Sequence, residues 1–273
     1  MKTGFIGCGN MGGVLLKSLL HRGALNQREV VVSTRTRSKL DELVSQYPWL
    51  EVTGNVELSK KCSRIFICVK TAEARGVVKE ISHNLDGVHL ISICAGLEIK
   101  NLAKVFPGKI TKVIPTLTSE VNAGVSLVCH NDLVGDEDRD YIHKILGRIS
   151  TVKVIGENNF EVCADLTSCA PAFIASIFRE FMNAGVRHGN LSVGEAFEMV
   201  VPTLYGTAKL LHEKQTGFEE IITKVATNGG ISAEGLKVLD RELPTLFDEL
   251  FEATLSKHEV TKKQITEQYD KLP

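Results

Sequence analysis

Residues 3–12, Thr3-Gly4-Phe5-Ile6-Gly7-Cys8-Gly9-Asn10-Met11-Gly12, decide the fold. The first four form a short β-like run, and residues 11–21 carry apolar side chains at helical spacing, so the glycines stand where a strand turns into a helix. They fit G-x-G-x-x-G. In that setting Gly7 permits the tight turn, Gly9 lets the backbone approach a pyrophosphate with no Cβ in the way, and Gly12 allows close helix–strand packing. Asn10 and Met11 open the helix, where free N–H groups and the dipole favour an anion. A glycine-rich turn without a ligand would carry the same letters; the strand–turn–helix context is what favours a dinucleotide.

Outward from this turn, short apolar runs alternate with amphipathic stretches as in a parallel sheet with crossover helices. Strands are predicted at 3–6, 30–34, 51–53, 64–69, 89–93, 110–114, 126–129 and 151–155, and helices at 11–21, 38–47, 55–62, 72–81, 99–105 and 139–149. After Glu157 the β-branched runs stop and apolar residues recur three and four apart. A helix is predicted over 160–188, kinked at Pro171 and stopped by Gly189. Another runs over 192–215 from a Ser192/Glu195 capping box, with Pro202 inside, and others cover 218–226, 232–241 and 243–255. The polar stretch 256–273, with Lys262-Lys263, reads as a solvated terminal helix or tail. The expectation is an α/β chain: a Rossmann-type doubly wound, mostly parallel sheet in residues 1–157, followed by an all-α domain in residues 158–273.

The end of the second strand distinguishes NAD from NADP, because a carboxylate there binds ribose hydroxyls and repels a 2′-phosphate. The sequence at that point is Ser33-Thr34-Arg35-Thr36-Arg37, without an acid. Ser33 and Thr34 can donate hydroxyl hydrogen bonds, and Arg35 and Arg37 can make charge-assisted contacts to a phosphate. NADPH is therefore favoured over NADH, the alternative being arginines that only decorate a surface turn.

Ligands of open parallel sheets sit outside the carboxyl ends of the strands. There Val69-Lys70 ends the fourth strand and Ala95-Gly96 follows the fifth, small enough for a nicotinamide ring to lie against the backbone. Lys70 reads equally as a cofactor contact or a solvated strand-end lysine. Cys94, with no base beside it in sequence, reads as a packing thiol.

Composition excludes other classes. Among 273 residues, 32 Lys and Arg balance 33 Asp and Glu for a net charge of -1, which removes the cationic field of a nucleic-acid binder. With 43% hydrophobic residues the chain can bury a core. No unbroken apolar run approaches the roughly 18–20 residues that cross a bilayer, so no membrane association is expected. The start of the chain shows no leader pattern, and the seven cysteines are scattered and never C-x-x-C, which points to reduced thiols in the cytoplasm. The eight histidines show no ligand spacing, and no metal site is expected.

The chain resembles the pyrroline-5-carboxylate reductase family. Gly4–Gly12, Val69-Lys70, Ser92-Ile93-Cys94-Ala95-Gly96, Lys112-Val113-Ile114-Pro115, Asn183-Ala184-Gly185-Val186-Arg187-His188-Gly189 and Gly229-Gly230-Ile231-Ser232 occur in the family's order and spacing over nearly the whole chain. The resemblance implies an NADPH-preferring oxidoreductase that converts a cyclic imine to proline, with a helical C-terminal domain that intertwines in a homodimer or higher homo-oligomer. It also implies that Gly229, Gly230, Ile231 and Ser232 hold the substrate carboxylate, with the Ser232 hydroxyl at the ring nitrogen as the catalytic group. Ser232 has a second reading as the N-cap of the following helix. The sequence departs from the family pattern at Thr71 and Thr116, at Thr167-Ser168-Cys169-Ala170-Pro171-Ala172-Phe173 and at Thr227-Asn228-Gly229-Gly230-Ile231-Ser232. All these changes touch the substrate side. The alternative is therefore a reductase-like accessory protein of the late-competence type that binds the cofactor with altered or lost turnover. A 3-hydroxyacid dehydrogenase would need a lysine in the helix over 160–188, which has none.

Overall fold

A computed structural model describes residues 2–35 and 38–271. Thr36 and Arg37, the latter an expected phosphate contact, lie outside the described residues. The chain forms two compact units, one of residues 1–170 with 254–273 and one of residues 171–253. The helical half expected from residue 158 onward is thus divided, and its two ends belong to the unit that contains the sheet.

In the first unit, eight strands form one sheet: β1 (Lys2–Ile6), β2 (Val30–Ser33), β3 (Glu51–Val52), β4 (Cys62–Ile67), β5 (His89–Ser92), β6 (Lys109–Ile114), β7 (Gly124–His130) and β8 (Ser150–Val154), in the order β3-β2-β1-β4-β5-β6-β7-β8. All neighbours are parallel except β6 and β7. Because the central strands are covered on both faces, their residues are apolar throughout, and alternate side chains enter two cores. Phe5, Val32, Phe66 and Ile91 meet α1 (Asn10–His21), α2 (Ser38–Gln46) and α6 (Asp136–Leu146) on one face. Ile6, Val31, Ile65, Ile67 and Leu90 meet α3 (Asn55–Lys61), α4 (Thr71–Ile81) and α5 (Ile99–Ala103) on the other. The strand order reverses between β1 and β4, which opens a crevice at their carboxyl ends.

The helix predicted over 160–188 is α7 (Phe160–Ala164), one π-helical turn over Asp165–Cys169, and α8 (Ala170–His188), followed by Gly189. The irregular turn precedes Pro171, whose missing N–H cannot close the regular ladder. α9 (Val193–Lys214) has the expected capping box and runs through Pro202, and α10 (Phe218–Val225) follows. The two helices predicted at 232–241 and 243–255, and the tail after them, are instead one helix, α11 (Ile231–Asp270), with Pro244 inside.

The reading of 256–273 as a solvated tail is corrected. Ile265 and Tyr269 are buried in the same core as β4 and α4. Around them Asn101 donates to Thr266 (3.0 Å), Gln268 to the Ala72 carbonyl (2.8 Å), and Lys104 pairs with Asp270. A stripe of two large apolar residues, Ile265 and Tyr269, four apart, suffices to seat this segment, because the polar side chains around it bond to α4 and to the region of α5.

In the second unit α8 and α10 have no buried residue and α9 only Ala196. Phe181 is 68% exposed and Ile231 95%. By length and composition, Glu157–His188 would also suffice to cross a bilayer. Counting unbroken apolar runs missed this, since a helix tolerates a few polar residues within such a span.

Candidate functional site

At the C-terminal end of β1 the chain turns sharply. Gly7 has φ +97°, and a Cβ there would lie 2.6 Å from the Cys68 carbonyl oxygen; its N–H donates to the Ser33 carbonyl (2.7 Å). A Cβ on Gly12 would lie 2.7 Å from both the Cys68 Cβ and the Gly7 oxygen, so helix and strand touch backbone to backbone. Gly9 is different: a Cβ there would meet nothing within 4 Å. It faces open space. As N-cap of α1 it supplies no side-chain hydrogen bond, and the first turn contains no acid. The N–H groups opening α1, including those of Asn10 and Met11, therefore remain for an external anion.

In front of this turn lies a cavity of about 290 Å³ lined by Gly7, Gly9, Ser33, Thr34, Arg35 and Lys70 among others. Seven expected cofactor residues, these six and Val69, thus share one cavity wall, whereas Asn10, Met11, Gly12, Ala95 and Gly96 do not line it. The other lining residues, Ile6, Cys8, Asn55, Cys68, Glu73 and Val77, were not expected from the sequence; of these Asn55 and Glu73 bring polar side chains. The Ser33 hydroxyl donates to Asn55 Oδ1 (2.7 Å), and the Asn55 amide donates to Glu80 (2.8 Å). Ser33, expected as a donor to phosphate, has thus committed its proton to Asn55 and offers lone pairs instead. Arg35 Nη1 stands 3.3 Å from Glu73 Oε1.

Ala95 is exposed, while Gly96 is buried with φ +72°; the space its side chain would take is filled by Thr261 and Ile265 of α11. Backbone conformation and helix packing therefore account for this glycine. The Thr71 hydroxyl donates to the Ala95 carbonyl (2.9 Å), tying the loops after β4 and β5 together. Burial pushes the thiols of Cys8 and Cys94 up to about 11, so both are poor nucleophiles at neutral pH. Among the described residues no group of three His, Cys, Asp or Glu side chains could hold a metal ion.

The second expected site lies in the other unit. Gly229 has φ +73°, and a Cβ on Gly230 would crowd the Thr227 hydroxyl and carbonyl oxygens at 2.8 and 2.9 Å, so both glycines are needed by the turn that opens α11. The first α11 bonds run from Ala233 and Glu234 to the Gly230 carbonyl. Gly230, not Ser232, thus occupies the cap position. Ser232 lies within the first turn and is exposed, as is Ile231. In the π turn the Thr167 and Ser168 hydroxyls donate back to the Cys163 and Ala164 carbonyls (2.7 and 3.2 Å).

An uncapped glycine turn at the switch point of a doubly wound sheet, with a cavity before it and an arginine just after β2, is the arrangement of a nicotinamide-dinucleotide oxidoreductase of the Rossmann type. Residues 157–260 match the family described as pyrroline-5-carboxylate reductase dimerisation, and residues 2–96 the one described as NADP oxidoreductase, coenzyme F420-dependent. The chain belongs to the pyrroline-5-carboxylate reductase family. It is 37% identical over 98% of its length to pyrroline-5-carboxylate reductase 3 of Bacillus subtilis, covering 99% of that protein. It is 30% identical, with the same coverages, to ComE operon protein 4 of the same organism. Its fold matches that of the Plasmodium falciparum pyrroline carboxylate reductase crystallised with NADP bound, at a TM-score of 0.80, 23% identity and 98% coverage of both chains.

Proposed function

We propose that this chain reduces pyrroline-5-carboxylate to proline with NADPH, working in the cytoplasm as a homodimer or higher homo-oligomer. The observation that carries this reading is full-length similarity to a reductase of that name in a chain whose glycine turn is open and uncapped. Gly7, Gly9, Asn10, Met11 and Gly12 would hold the pyrophosphate, Thr34 and Arg35 with Ser33 the 2′-phosphate and ribose, and Val69, Lys70, Ala95 and Gly96 the nicotinamide end. The bound cofactor supplies a hydride to the electrophilic carbon of the C=N bond. A protonated cyclic imine already carries its positive charge, so the protein need only orient it. The N–H groups opening α11 at Gly229–Ile231 suit a carboxylate, and the Ser232 hydroxyl accepts from or donates to the ring nitrogen.

Helices as apolar and as bare as α8 to α10 cannot hold one another in water, since hydrophobic burial is what stabilises a helix pair. A second copy of the chain supplies the missing cover, which also accounts for the apolar composition of Glu157–His188. All seven cysteines are free thiols, as a reducing compartment requires.

Oxidation of NADPH by the purified protein with pyrroline-5-carboxylate tests the activity. Ser232→Ala is expected to slow turnover or weaken substrate binding with NADPH affinity nearly unchanged; equal losses in both would reject its role. Arg35→Ala is expected to weaken NADPH much more than NADH. Tight NADPH binding with no turnover would instead favour an accessory role.

A further inference from the structure

The carboxylate missing from the end of β2 is supplied by another element. Glu73 stands in the first turn of α4, 38 residues on from Arg35, and reaches the same cavity as Ser33, Thr34 and Asn55. Its backbone N–H donates to the Lys70 carbonyl (2.8 Å), so the helix start fixes where its side chain begins. Its carboxylate meets the Arg35 guanidinium at 3.3 Å.

We infer that Glu73 and Arg35 form a two-sided reader of the adenosine ribose, in which Glu73 accepts the hydroxyls of an unphosphorylated ribose and Arg35 binds a 2′-phosphate. Glu73 thereby sets how far the site prefers NADPH over NADH. This rests on the nicotinamide-cofactor reading above. Three features support it. A carboxylate at the end of β2 is the group that binds ribose hydroxyls and repels a 2′-phosphate, and tertiary structure brings Glu73 to that place. The pair is exposed, with 83% of the Arg35 side chain accessible, and an ion pair in water contributes little to stability, so Arg35 is free to leave Glu73 for a stronger phosphate contact. Finally, two neutral donors beside it already hold partners, Ser33 on Asn55 and Asn55 on Glu80, so the charged pair carries most of the discrimination.

A merely structural Glu73, favourable at the N-terminus of α4, would change melting temperature when neutralised but not the choice of cofactor. Dissociation constants for NADPH and NADH, measured by calorimetry on the full chain and on Glu73→Gln, Arg35→Ala and the double variant, separate the two roles. In Glu73→Gln, NADPH is expected to bind tighter and NADH weaker, shifting the preference toward NADPH by about tenfold or more, while Arg35→Ala shifts it the opposite way by a similar factor. In the double variant the preference is expected to fall near unity. Equal changes for both cofactors in Glu73→Gln, or none, overturn the role of Glu73 even when Arg35→Ala discriminates. Failure of either cofactor to bind the unaltered chain, or an Arg35→Ala variant with unchanged preference, overturns instead the cofactor reading on which it stands.

Discussion

At the amino end of the interior strand β5, His89 is 1% exposed, and its Nε2 lies 2.6 Å from the Thr111 hydroxyl, which also lies 2.8 Å from His130 Nδ1. One hydroxyl proton serves one ring, so the other ring must donate its own N–H to that oxygen. Burial, chiefly, pushes both imidazoles down to about 4; at His89, Asp138 opposes this from 3.8 Å but is itself engaged by Arg64 (2.9 Å) and Lys109 (2.8 Å). The folded protein therefore keeps His89 neutral where the unfolded chain, titrating near 6.5, takes up a proton. Stability is complete above the unfolded value and is lost as pH falls from there toward 4. Between pH 7.5 and 5.0 the loss owed to His89 is about 2 kcal/mol, from the ratio of the two proton-binding terms. Asp138 works at lower pH, since its carboxyl is held below the usual range by Lys109, His89 and Arg64 against the opposing effect of burial. Urea unfolding of the wild type and of His89→Gln, which keeps a hydrogen-bonding group for Thr111 but cannot titrate, is expected to show a pH 7.5-to-5.0 decrement about 2 kcal/mol larger in the wild type. Equal decrements in the two proteins, whatever their absolute stabilities, would refute a neutral buried His89.

Gly12→Ala places a methyl 2.7 Å from two backbone-fixed neighbours; the overpacking is expected to cost about 1–3 kcal/mol, read as a lowered melting temperature, and to abolish calorimetrically detected NADPH binding. Tyr269 is fully buried, and its hydroxyl has no hydrogen-bond partner among the described residues. Tyr269→Phe is therefore expected to be neutral or stabilising, whereas Tyr269→Ala is expected to cost about 3–5 kcal/mol by denaturant unfolding.

What the sequence made legible follows one physical rule. Strand and helix signals are local, and the eight strands, the Ser192 capping box and the stop at Gly189 stand where period and capping chemistry place them. Gly7 and Gly12 are crowded by Cys68, far along the chain, yet the G-x-G-x-x-G spacing that marks them is local. Legibility failed where a residue's meaning depends on a distant partner and no local motif marks it. The stretches 232–241 and 243–255 read as two helices but are one, which runs on through Pro244, and nothing local reveals that continuity. Ser232 carries the letters of a cap, yet the Gly229-Gly230 turn opens the helix two positions earlier.

The proposed cofactor site shows the same division more sharply. The glycine turn proposed for the pyrophosphate is written in six consecutive residues, whereas the cavity beside it is assembled from β2, α3 and α4, where Asn55 and Glu73 carry no motif. The loop after β5 depends on still more distant chain. Thr71 replaces a family proline and ties its own loop to Ala95, while Gln268 holds the next residue, Ala72, and Thr261 and Ile265 close over Gly96. Of these, Thr261, Ile265 and Gln268 lie beyond the segment that matches the family's dimerisation region, in the stretch that composition alone assigns to solvent. A polar helix can be structural when its few apolar residues fall four apart and its polar ones find backbone acceptors. The loops after β4 and β5 are thus held from the far end of the chain, a stretch that the full-length similarity to the Bacillus subtilis reductase also spans.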